Sequence, residues 1–97
     1  MGFFSNIGAI QRINTLLKTI EPKVTAIQNE CNRSYPNKEK IQIEARTICV
    51  LMSEIMDIAD SSGESVRSVS YFFFGEKTNL IHISMVLANL IEMCENL

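Results

Sequence analysis

The residue types best suited to bond-making chemistry are few in this chain: one histidine, His82, and three cysteines, Cys31, Cys49 and Cys94. A hydrolytic triad requires a histidine oriented by a carboxylate, but His82 falls on an outer position of its heptad and reads as a surface residue. The cysteines are odd in number, widely spaced and form no CxxC pair. Each sits within an apolar helical pattern, which predicts buried thiols in a reducing compartment rather than a disulfide framework or a zinc site. Glu54, Asp57 and Asp60 recur at i, i+3 and i+6. Di-iron bundles add a Glu-x-x-His motif on two helices; none is present, so the acidic row reads as a solvated face. Gly2, Gly8, Gly63 and Gly75 are too dispersed to cradle a phosphate. The expectation is a protein with no catalytic residues, no cofactor and no metal, and so not an enzyme.

Of the five methionines, Met52, Met56, Met85 and Met93 lie inside helical patterns and are expected chiefly as core filling. Met52 and Met56, at i and i+4, are the pair best placed for an adaptable groove.

The stretch SYFFFGEK, residues 70–77, is different in kind, with four consecutive aromatics that stop at a glycine. On a helix four consecutive residues sweep about 300° of arc, so they cannot all face one small core. Some of Tyr71, Phe72 and Phe74 are therefore expected on the surface, where adjacent aromatics mark a contact site.

Composition bounds the partners. Hydrophobic residues make up 46% and charged residues 21%, the balance of an ordinary globular chain. A length of 97 residues fits one domain, residues 1–97, able to bury a modest core. The net charge of −2 argues against nucleic acid, whose phosphates require a basic face. It is unevenly spread: residues 1–50 hold seven Lys/Arg and four Glu, whereas residues 51–97 hold two and seven acids. The opening MGFFSNIGAI lacks a basic n-region, Asn6 stands where a myristoylation signal requires Ser or Thr, and no stretch approaches the roughly 20 apolar residues of a membrane span. The cytoplasm is the expected location.

The elements that must position these residues are helices. Ile10, Ile13, Leu17, Ile20, Val24, Ile27 and Cys31 step by 3 and 4 alternately, a heptad seam that keeps its phase across Pro22. The pattern predicts one long helix, about 5–32, kinked at that proline and with it facing outward. NRSYPNK breaks the pattern, and Asn37 or Ser34 can cap the next helix. That second helix, about 38–60, carries Ile41, Ala45, Ile48, Met52, Ile55 and Ala59, plus Leu51, Met56 and Ile58. A face that wide touches two neighbours, so this helix is central. Gly63 ends it. Ser61 and Glu64 have capping-box spacing, and Val66, Val69 and Phe73 suit a short helix, about 64–74, with Gly75 as its left-handed terminator. A strand is the alternative there, but the sequence offers no second strand to pair with it. The last helix, about 78–96, repeats the seam at Leu80, Ile83, Leu87, Leu90, Cys94 and Leu97.

Short connections make consecutive helices antiparallel. The predicted fold is all-α: an antiparallel up-down-up three-helix bundle with a short extra helix (about 64–74) crossing one end. Ile20, Ile48, Met52, Leu87 and Leu90 fill its middle layers. Charge placement supports the topology, because Glu92 and Glu95 would come alongside Lys38, Lys40 and Arg46, and Arg12 alongside Asp57 and Asp60. Phe3 and Phe4 would then meet Tyr71, Phe72 and Phe74 at a single end.

Dipolar charge, wide apolar faces and surplus aromatics all favour association with protein. The expected function is non-enzymatic binding of a protein partner, a second copy of the chain first, through Phe3, Phe4, Tyr71, Phe72 and Phe74. The alternative is peripheral membrane binding through the amphipathic segment 2–13, where Phe3, Phe4, Ile7 and Ile10 share one side. Against it stand a single basic residue and the continuity of that side with the core seam.

Overall fold

The computed structural model describes residues 3–97, with side chains from Asn6 onward. The apolar seam of the N-terminal third forms one helix, α1 (Phe3–Cys31), which runs through Pro22 without interruption. Pro22 faces solvent, so its ring displaces no core contact while Ile20, Val24 and Ile27 stay buried on the opposite side. The chain then turns over six exposed residues, 32–37. Asn37 closes the turn: its backbone is extended, and its side chain accepts from the Lys40 amide at the start of α2 (Lys38–Ser62). That bond satisfies one of the helix's orphan donors.

Gly63 stops α2 with φ of 93°, in the left-handed region where a side chain is costly. The capping box expected from Ser61 and Glu64 does not form. Ser61 and Ser62 are still helical, and the Glu64 carboxylate accepts from Ser68 Oγ (2.7 Å) and Arg67 instead. The chain continues into α3 (Glu64–Arg67), a single turn.

The helix expected over 64–74 therefore ends at Arg67, and the aromatic run is a strand. β1 (Tyr71–Phe73) pairs antiparallel with β2 (Glu76–Thr78), in the register Tyr71↔Thr78, Phe72↔Lys77 and Phe73↔Glu76. The two-residue loop has positive φ at both positions, 53° at Phe74 and 78° at Gly75. This is a type I′ turn, whose twist matches that of the flanking strands. Gly75 is left-handed as expected, but within a hairpin rather than at a helix end. Asn79 then caps α4 (Leu80–Glu95) by accepting from the His82 amide at 2.8 Å.

α2 lies between α1 and α4, packs against both and is antiparallel to each, which makes the up-down-up bundle. Its central seam is buried from Ile41 to Ala59. Ile13, Leu17 and Ile20 of α1 and Ile83 and Leu87 of α4 complete the core with it, all at most 1% exposed. Met52 is buried too, but Leu90, expected in the same layers, is only partly covered. Val66 and Tyr71 close the end where α1 begins. Asn6 of α1 donates to Ser65 Oγ there (2.9 Å), tying the start of the chain to α3. Among the described residues, no helix is long and apolar enough to cross a membrane.

Candidate functional site

Tyr71 is not part of any surface. It is 1% exposed, and its hydroxyl donates to the Val66 carbonyl at 2.8 Å. Burial also pushes its phenol above the ordinary tyrosine range. The side-chain alternation of a strand explains the correction: Tyr71 and Phe73 turn inward and Phe72 outward. Phe72 is 64% exposed and Phe74, at the turn, 48%. Phe73 and Phe74 meet edge to face with ring centroids 4.8 Å apart. Of the three residues of the run expected at the contact site, Phe72 and Phe74 are exposed and Tyr71 is not. Phe3 and Phe4, the other two members of the expected contact site, have side chains outside the described residues.

The hairpin also moves the aromatic run away from the end of the bundle. The amide of Phe74 donates to Glu21 Oε2 at 2.7 Å. Glu21 stands 17 residues along α1 from Phe4, about 25 Å at the rise of an α-helix. The expected gathering of all these aromatics at one end is therefore replaced by a run that climbs from Tyr71, near the end, to Phe74, beside the middle of α1. There the hairpin borders a cleft of about 320 Å³ with Val24 and Gln28 of α1 and Val86 and Leu90 of α4.

α4 contributes a second, larger exposed surface. Its buried residues, Leu80, Ile83, Leu87 and Cys94, occupy one arc. On the remaining girth, Ile81 (68%), Met85 (60%), Val86 (45%) and Met93 (68%) are exposed. Met85 and Met93 therefore do not fill the core as expected. Ile81, Met85, Ala88 and Glu92 follow one another at i, i+4, i+7 and i+11, a straight stripe on the outer face. Sequence periodicity alone did not mark these residues as surface. The available signal was that α4 carries apolar residues all round, while its only broad partner is α2.

The charged groups are arranged differently from expectation at the far end of the bundle. Lys40 lies 3.8 Å from Glu30 rather than beside Glu92 or Glu95. Glu30 is buried, and its carboxylate accepts from the Asn37 amide (2.9 Å) and from Arg33 (3.2 Å). The amide of Asn37 chiefly holds this carboxyl below the usual range, with Arg33 and Lys40 assisting against the opposing effect of burial. At the near end Arg12 pairs with Glu54 (3.2 Å), and Asp60 with Arg67 (3.6 Å). Among the described residues, neither Glu92 nor Glu95 has a cation within ion-pair distance.

Of the residues suited to catalysis or metal binding, His82 borders the cleft beside the hairpin, whereas Cys49 and Cys94 line another. His82 is exposed on α4. Cys31 and Cys49 are exposed, against the expectation of burial; only Cys94 is buried. Cys49 and Cys94 share a cleft of about 470 Å³ between α2 and α4, which Arg46, Ile91 and Glu95 also line. Among the described residues, no three His, Cys, Asp or Glu side chains lie close enough to hold a metal ion. Ile10, expected on a membrane-facing side of segment 2–13, packs against the core.

The fold and surface define a small up-down-up helical bundle with a β-hairpin inserted before its last helix. No family model, curated protein or solved structure matches the chain.

Proposed function

We propose that this protein works by binding protein, without catalysis, through the apolar surface formed by the outer face of α4 and the exposed aromatics of the hairpin. One observation supports this reading above the others. Phe74 and Val86 border the same cleft, so the exposed tip of the hairpin adjoins an exposed apolar side chain of α4. Isolated exposed apolar residues are normal, but a connected patch of large ones marks an interaction site. Aromatic and methionine side chains are also the types enriched at interfaces. The reading keeps the expected cytoplasmic location, where the exposed thiols of Cys31 and Cys49 stay reduced.

The test compares the wild type with a Phe72→Ser/Met85→Ser variant, both checked for helical content by circular dichroism. The native mass of each is measured by light scattering, and bound proteins are recovered from the native lysate on an immobilised chain. Association, with itself or with a defined protein, is expected for the wild type and is lost in the variant. A wild type that binds nothing in either measurement, or binding indifferent to the substitutions, removes this reading.

A further inference from the structure

α1 and α4 run in the same direction, because each is antiparallel to α2, and their C-terminal ends stand at one end of the bundle. Val24 and Gln28 of α1 line the cleft beside the hairpin together with Val86 and Leu90 of α4. Both rows continue beyond it by helical spacing. Gln28 is followed at i+3 by Cys31, the last residue of α1, and Leu90 at i+4 by Cys94, in the last turn of α4. The two thiols are therefore set toward each other over the first turns of α2, where Lys40 reaches Glu30 (3.8 Å) and Ala45 lines a cleft with Cys94. They differ in access: Cys31 is open to solvent and Cys94 is buried.

We propose that Cys31 and Cys94 are a reversible redox pair, oxidised by a small-molecule disulfide such as glutathione disulfide to an intrachain bond that fastens α4 to α1. Exchange begins where there is access. The Cys31 thiolate attacks one sulfur of glutathione disulfide, forming a mixed disulfide and releasing one glutathione thiolate. The Cys94 thiolate then attacks the Cys31 sulfur and expels the second glutathione. Two protein thiols and one glutathione disulfide become one protein disulfide and two glutathione thiols, so the protein loses two electrons and two protons. Excess glutathione reverses both steps. Burial suits Cys94 to the second one: it is shielded from glutathione disulfide in solution, but not from a sulfur carried by its neighbour.

Cys49 is the competing partner, since it lines the cleft between α2 and α4 with Cys94. Two observations select Cys31. A disulfide holds its Cα atoms about 4.4–6.8 Å apart. Cys49 lies in the interior of α2, where the buried Ile48 and Met52 on either side fix the backbone. Cys31 ends its helix and is followed by six exposed residues, 32–37, so its backbone is free to close the remaining distance. Cys31 is also the thiol near enough to Cys94 to add to the upward shift of its pKa. The bond would close a loop through residues 32–93, most of the fold. In a glutathione-rich compartment such a pair stays reduced and joins only when glutathione disulfide rises, as redox-sensing disulfides do. This pairing is independent of the association reading above.

The decisive experiment equilibrates the reduced full chain with glutathione disulfide and identifies the products by mass mapping without reduction. In the wild type the peptides carrying Cys31 and Cys94 are expected to be linked, while Cys49 stays a thiol or holds glutathione. Cys49→Ser should retain the bond. In Cys94→Ala glutathione should remain on Cys31, and in Cys31→Ser the Cys94 thiol should stay unmodified in the folded chain. Cys31→Ser changes an exposed position, so it decides the matter even if Cys94→Ala fails to fold. The bonded form should melt about 10 °C or more above the reduced one, a difference that dithiothreitol abolishes. Glutathione adducts alone, a Cys49–Cys94 bond, or linked chains in place of the Cys31–Cys94 bond overturn the proposal. A bonded form that melts below the reduced chain overturns it as well, because the bond would then belong to a distorted fold.

Discussion

The carboxylate of Glu21 accepts a hydrogen bond from the backbone amide of Phe74, 53 residues away in sequence, at 2.7 Å. In a two-residue hairpin loop the amides of the loop residues have no partner within the ladder. Glu21 supplies one, and in doing so fixes the hairpin tip against α1. Replacing Glu21 with Ala should therefore release the tip rather than the bundle. The expected cost is about 0.5–1.5 kcal/mol, or a fall of several degrees in melting temperature for a domain of this size. Hydrogen exchange gives the specific readout: the Phe74 amide loses protection while amides in the middle of α2 keep theirs.

Phe74 itself is a poor choice for its backbone. Its φ of 53° is a conformation that costs an ordinary L-residue about 1–2 kcal/mol and that Asn tolerates. A turn selected for stability alone would read Asn-Gly. Phe74→Asn and Phe74→Ala both lose the edge contact with Phe73, so their difference isolates the backbone effect. Asn should be the more stable by about 0.5–1 kcal/mol in chemical denaturation. Equal stability of the two would mean that the left-handed conformation is not maintained in solution. If the gain is seen, Phe74 is kept at a cost to folding, as residues serving an interaction are.

The same residues show where sequence patterning succeeds and where it stops. The seams of α1, α2 and α4 were legible because three helices bury one another through side chains at regular spacing, from Ile13 to Leu87. The hairpin was not. β2 is Glu76-Lys77-Thr78, exposed except for a half-buried Thr78, and a strand with no apolar alternation gives no periodic signal. Without a recognised partner, Tyr71 to Phe73 read as helix, and Tyr71 went to the wrong side. The surface of α4 was obscured for the converse reason. Apolar residues occur all round it, so periodicity could not separate the arc that meets α2 from the arc left exposed. The exposure of Cys31 and Cys49 had no sequence signal, because each continues the local apolar pattern.

Leu87 and Leu90 separate these two arcs experimentally. Leu87 is 1% exposed, whereas Leu90 is partly buried at the edge of the core. Truncating Leu87 to Ala leaves a cavity and should cost roughly 2–5 kcal/mol. Leu90→Ala opens onto the cleft beside the hairpin, where water and neighbours can fill the space, and should cost about half as much or less. Urea titrations of the two variants check the order; a Leu90 penalty equal to that of Leu87 would require α4 to be rotated.

Glu30 should set the acid limit of the fold. Its carboxyl is held below the ordinary value of 4.5, first by the Asn37 amide and then by Arg33 and Lys40. A carboxyl with a lowered folded pKa binds protons more weakly in the folded than in the unfolded chain, so it stabilises the fold above its ordinary value. That contribution fades as pH falls from about 4.5 through the lowered value. Glu30→Gln should flatten the acid limb of a plot of melting temperature against pH. A limb of unchanged slope would assign acid sensitivity to other carboxyls, Glu64 first, since its pKa is lowered by Ser68 and Arg67.

The three thiols offer a test of α4 docking that needs no substitution. Cys31 and Cys49 are exposed and Cys94 is buried. Burial pushes the Cys94 thiol above its ordinary range, with the neighbouring Cys31 and Glu95 adding to the shift. Reaction with a thiol reagent goes through the thiolate and needs access, so both effects slow Cys94. In native protein near pH 8, two thiols per chain should react quickly. The third should react only as fast as the end of α4 lifts from α2, and all three should react at once in denaturant. The slow thiol is identified by mass mapping of the labelled peptides. Three equally fast thiols in the native state would mean that the last turns of α4 are not held against α2, and the acidic end carrying Glu92 and Glu95 would then lack a fixed position.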